Sequence, residues 1–96
     1  MNVKFVTLHC RVVGQVQGVG FRYATKQQAD RLNLSGWVKN LADGGVEVFA
    51  QGSEDDIRAL KHWLQQGPSL ARVDELIVLA QHTENGKDSD AFTIRR

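Results

Sequence analysis

The chain has one cysteine, Cys10, and one proline, Pro68, in 96 residues. A lone thiol can form neither an intrachain disulfide nor a cysteine-based zinc centre, and this favours a reduced, cytoplasmic setting. Excess charge is also missing, since 12 Lys+Arg stand against 11 Asp+Glu for a net charge of +1. That balance leaves no broad basic field for nucleic acid and no acidic tail, so any anion site must be local. No apolar run approaches the roughly 20 residues needed to cross a bilayer. The start Met1-Asn2-Val3-Lys4-Phe5 lacks the charged start, apolar run and cleavage site of a leader peptide. There is no His-x-x-x-His pair or carboxylate cluster to hold a metal. The expectation is a single domain over residues 1–96, soluble and monomeric, with one modest core, no metal or other cofactor, and neither membrane nor nucleic acid as a partner.

What the chain does have is glycine in a telling place. The run Gly14-Gln15-Val16-Gln17-Gly18-Val19-Gly20-Phe21-Arg22 falls where strand-like alternation gives way to helical spacing. Glycine lets consecutive backbone N–H groups point into one concavity. A helix N-terminus adds partial positive charge, and Arg22 brings a planar fork of donors suited to phosphate or carboxylate. A tight structural connection would use the same glycines. The run lacks the Gly-Lys-Ser/Thr ending of a nucleotide P-loop, and Gly18-Val19-Gly20 has no third glycine at dinucleotide-binding spacing.

Periodicity supplies the framework. Residues 5–13 alternate, with Val6, Leu8, Cys10 and Val12 on one side and Thr7, His9 and Arg11 on the other, which predicts a half-buried strand. Phe21, Ala24, Gln28 or Ala29, and Leu32 predict a helix over 21–33. Two short strands, 35–41 and 46–51, flank Asp43-Gly44-Gly45, a tight-turn sequence. Ser53 caps a second helix that carries Glu54, Asp55 and Asp56 in its first turn. Its core stripe is Ile57, Leu60 and Leu64 with Trp63 beside it, and Gly67-Pro68 ends it. A strand over 73–81, a polar loop His82–Ser89 and a short strand Phe92–Arg95 complete the chain.

The order β-α-β-β-α-β plus a final strand is the split βαβ pattern of the ferredoxin-like two-layer sandwich, an α+β fold with two helices on one face of an antiparallel sheet. The first two strands flank a crossover helix and therefore run parallel, with their C-terminal ends at one edge. Asn40, at the end of the second strand, is thereby brought toward the glycine loop and Arg22. An Asn at that position is a common turn former. Beside an anion cradle, its carboxamide can also hold a water in line with a bound phosphoryl group.

Two stretches carry a family resemblance. Gly14-x-Val16-Gln17-Gly18-Val19-x-Phe21-Arg22 resembles the first signature of the acylphosphatases. Gly36-Trp37-Val38-Lys39-Asn40-x-x-x-Gly44-x-Val46, with Gly52 beyond it, resembles the second. The resemblance implies hydrolysis of an acyl phosphate to a carboxylate and inorganic phosphate. It assigns phosphate binding to Arg22 and to the backbone N–H groups of Gln17, Gly18, Val19 and Gly20, and orientation of the attacking water to Asn40. It implies no covalent intermediate, no metal, and proton transfer to the substrate's own phosphate. The residues fit such a scheme, since phosphoryl transfer needs mainly positioning and charge stabilisation.

Other residues read as structural. His9, His62 and His82 are expected on a strand face, a helix and a loop. Trp37, Trp63, Tyr23 and Phe49 are expected to pack, Lys39 to be solvated, and Asp43 to shape its turn. Two rival functions stay open at this point. One is an RNA-binding sheet, although the basic-aromatic strand motif is missing. The other is a non-catalytic or carbamoyl-phosphate-handling module, a domain that binds carbamoyl or acyl phosphate for a larger carbamoyl-transfer machine.

Overall fold

The computed structural model describes residues 4–84 and 90–96. Along the chain lie β1 (Phe5–Gln15), α1 (Phe21–Arg31), β2 (Ser35–Asn40), β3 (Val46–Ser53), α2 (Glu54–Leu64), β4 (Arg72–Glu84) and β5 (Phe92–Arg95). The strands form one sheet in the order β4-β1-β3-β2-β5. β1 and β2 both pair antiparallel with β3 and so run parallel to each other, as the crossover helix requires.

The two helices cover one face. Val6, Leu8, Cys10 and Val12 of β1, Val38 of β2, and Val46, Val48 and Ala50 of β3 form the floor of the core beneath Phe21, Ala29, Ile57, Leu60 and Leu64. The period-two reading of β1 thus holds on its core side. On the opposite side Thr7 is also buried, where it accepts a hydrogen bond from Gln51 Nε2 at 3.0 Å. Ser53 caps α2 as expected, accepting from the Asp56 N–H at 3.2 Å, with three acids in the first turn.

The structure differs from the sequence reading in several places, among them β3, which runs on to Ser53 where 46–51 was expected. The sheet is mixed rather than antiparallel throughout, because β5 joins the outer edge of β2 in parallel. α1 buries Thr25 in place of Ala24, and this polar residue is tolerated because its hydroxyl donates to Phe21 O at 2.8 Å. α1 also ends at Arg31, two residues earlier than expected, with Asn33 in the left-handed region at φ 57°. Finally, β4 extends through His82–Glu84, residues read as loop, because Thr7, Val6 and Phe5 supply pairing partners there. The remainder of the expected loop, 85–89, lies outside the described residues.

Candidate active site

The residues from Val16 to Gly20 connect β1 to α1 and present the helix N-terminus to solvent. Gly18 and Gly20 both have φ 76°, where an L side chain is strained, while the space around each would admit a Cβ. Backbone conformation, and not crowding, therefore calls for glycine at these two positions. Gly20 is the N-cap of α1 and offers no side-chain acceptor, and the first turn holds no acid. The first N–H groups of α1 and its dipole thus lack the internal compensation that α2 receives from Ser53 and its carboxylates.

Arg22 follows in that first turn. Its Nη1 donates to the Arg95 carbonyl at 3.0 Å, which holds the guanidinium against the end of β5. Asn40 is the last residue of β2 and lies two positions after buried Val38, so it shares the helix-facing side of that strand. The β1–α1 connection and the ends of β2 and β5 enclose a cleft of about 210 Å³ lined by Val16, Gly18, Gly20, Phe21, Arg22, Tyr23, Asn40 and Ile94. Of the residues singled out from sequence, Arg22, Asn40, Gly18 and Gly20 meet in this cleft.

The side chains of Gln17 and Val19 are engaged outside it. Val19 packs against the core. The Gln17 carboxamide instead donates to Leu41 O at 2.7 Å and Gly45 O at 2.8 Å. These two bonds tie the glycine loop to the turn that directly follows Asn40. Asp43 shapes the same turn by accepting from the Gly45 N–H at 2.9 Å, the turn chemistry expected of it, and pairs with Arg11 at 2.8 Å. Sequence reasoning missed the tethering side chain of Gln17 and the contributions of Tyr23, Ile94 and Arg95. The alternation of Phe92 and Ile94 was available as a signal, but the pairing of β5 with β2 was not.

Among the described residues, the titratable groups other than Arg22 and Tyr23 do not line the cleft. Lys39 projects from the outer sheet face and pairs with Glu47 at 3.5 Å. Glu47 is hydrogen-bonded to His9 on the same face. Burial pushes the Glu47 carboxyl up, but the His9 hydrogen bond and the Lys39 charge together hold it below its ordinary value of 4.5. Trp37 and Phe49 stack there with centroids 5.8 Å apart, and Arg95 lies 4.9 Å above the Trp37 ring. Burial pushes the Cys10 thiol up to about 12. Among the described residues, no three His, Cys, Asp or Glu gather to hold a metal ion, and no helix is long and apolar enough to cross a membrane.

The sequence model of the acylphosphatase family matches residues 8–94. The chain belongs to the acylphosphatase family. An acylphosphatase of Pseudomonas aeruginosa is 55% identical over 73 residues, which is 76% of this chain and 80% of the relative. The structure of an acylphosphatase from Coxiella burnetii superposes with a TM-score of 0.83 at 38% identity, covering 96% of this chain and 94% of that one. Full-length HypF, solved in a phosphate- and nucleotide-bound form, also matches, with a TM-score of 0.79 at 27% identity over 100% of this chain but 12% of its own. Family and fold make this chain an enzyme of the acylphosphatase class, acting on acyl phosphates.

Proposed function

We propose that the cleft hydrolyses acyl phosphates by direct in-line attack of water, without metal or covalent intermediate. Arg22 and the backbone N–H groups of Gln17–Gly20 bind the phosphoryl oxygens, and the Asn40 carboxamide orients the water. The water oxygen bonds to phosphorus as the bond from phosphorus to the acyl oxygen breaks. The electron pair of that bond leaves on the carboxylate. The water proton passes to a phosphate oxygen, so the dianionic acyl phosphate and water give a carboxylate and dihydrogen phosphate. The donors stabilise charge on the transferring group, and the orientation of the water lowers the entropic barrier.

One observation carries the reading: Arg22 and Asn40 line a single cleft at a helix N-terminus that has neither cap nor acid. All the groups invoked come from one chain, so a monomer suffices, and the reduced setting inferred from Cys10 is compatible with a cytoplasmic enzyme.

The test separates binding from chemistry, with inorganic phosphate as a competitive inhibitor. Arg22→Ala is expected to weaken phosphate and to lower kcat/KM by about 3 kcal/mol or more, the scale of one strong oxyanion donor. Asn40→Ala is expected to leave phosphate binding within about threefold while kcat collapses, since a group that orients water does not hold the phosphate. Unchanged kcat/KM in a folded Arg22→Ala would sink the anion site. Phosphate affinity falling as far as kcat in Asn40→Ala would make Asn40 a clamp instead.

A further inference from the structure

The cleft has an apolar rim that the phosphoryl chemistry does not use. On β2 and β5 the helix-facing residues Val38 and Phe92 are 0% and 3% exposed, yet Ile94, two residues beyond Phe92 on the same side, is 40% exposed. Tyr23, in the first turn of α1, is 63% exposed. Both line the cleft with Arg22 and Asn40. The hydrogen bond from Arg22 Nη1 to Arg95 O brings the guanidinium within one residue of Ile94 along β5. An acyl group attached to a phosphate at Arg22 therefore starts out beside Ile94 and Tyr23.

Size and charge narrow what that group can be. The cleft volume of about 210 Å³ is below the roughly 300–1,000 Å³ typical of sites that enclose a small molecule. The phosphoryl group occupies its depth and the acyl group must leave across the rim. Among the described residues Arg22 is the one charged residue lining the cleft, and the anion site engages it. An anionic acyl substituent would meet no second cation among the described lining residues, whereas an apolar chain or ring buries the tyrosine and isoleucine surfaces.

We infer that Tyr23 and Ile94 form an acyl-binding wall that makes the enzyme prefer acyl phosphates with extended apolar acyl groups. This rests on the reading of Arg22 and the glycine loop as the phosphoryl site. The wall is open to solvent, so its discrimination is smaller than that of an enclosed pocket. Hexanoyl and acetyl phosphate are suitable probes, because their leaving carboxylates have nearly the same basicity and differ mainly in apolar length.

The experiment measures the ratio of kcat/KM for hexanoyl over acetyl phosphate, together with inhibition by inorganic phosphate. The wild-type ratio is expected to be about tenfold and to fall within about twofold of unity in the Tyr23→Ala, Ile94→Ala double variant. Tyr23→Phe, which keeps the aromatic face, should retain the ratio. Both positions are exposed, and phosphate inhibition reports that the fold and the anion site are intact. A wild-type ratio near one, or a ratio unchanged in the double variant, overturns the wall even while Arg22→Ala loses phosphate. If Arg22→Ala binds phosphate normally, the anion site itself has failed and the wall fails with it.

Discussion

At the scale of single residues, the Gln17 carboxamide joins the two halves of the site. It donates to Leu41 O and Gly45 O and so spans from the glycine loop to the turn after Asn40. Removing it leaves two carbonyls without that donor, at about 0.5–1.5 kcal/mol each. Gln17→Ala should therefore lose about 1–3 kcal/mol in a denaturant titration. It should also lower kcat more than it weakens phosphate inhibition, because Asn40 is the group it steadies. A loss confined to phosphate affinity would contradict that role. Arg22 and Asn40 were legible from sequence because strand–loop–helix order and the direction of β2 fix where they emerge. The side chain of Gln17 was not, since its partners are main-chain carbonyls whose position depends on the completed β2–β3 turn.

Glu47 makes a pH-dependent contribution of the same local kind. Its folded pKa lies below 4.5 because His9 and Lys39 outweigh the penalty of burial. Stability from this carboxylate is therefore present above its unfolded pKa and is lost as pH falls through the folded one. Comparison of Tm between wild type and Glu47→Gln should show the wild-type advantage at pH 7 and its shrinkage toward pH 3. An advantage that grows on acidification would contradict the assignment.

At the scale of elements, the two helices begin in opposite ways. α2 opens with Ser53 and three acids, which complete its N-terminus internally. α1 opens on glycine with no cap and no acid. Ser53→Ala should cost about 1 kcal/mol of stability and leave kcat/KM unchanged, because the cap acts only on α2. A fall in activity in a fully folded Ser53→Ala would show that α2 communicates with the cleft. Both helix starts could be read in sequence, since caps and glycines act locally. The elements that escaped were those set by partners. The polar His82-Thr83-Glu84 reads as loop but pairs as strand because β1 runs alongside. The direction of β5 is likewise invisible to alternation, which has the same period in parallel and antiparallel strands.

At the scale of the whole molecule, the fold brings one cation, one carboxamide and the uncapped start of α1 to a single sheet edge. Among the described residues the cleft lining offers no carboxylic acid or imidazole to protonate a leaving oxygen, and its one weak acid is the phenol of Tyr23. That restricts the chemistry to leaving groups stable without a proton. A departing carboxylate qualifies, its acid having a pKa near about 4, whereas an alkoxide requires a proton or a metal. The decisive measurement is kcat/KM for an aromatic acyl phosphate against a simple alkyl phosphate, in metal-free buffer after exhaustive chelation. The account predicts full activity on the acyl phosphate and an alkyl phosphate rate at least about a thousandfold lower, given that general acid catalysis contributes roughly 10²–10⁴-fold. Comparable values for the two substrates, or acyl phosphate activity lost to chelation and restored by zinc or magnesium, would contradict it.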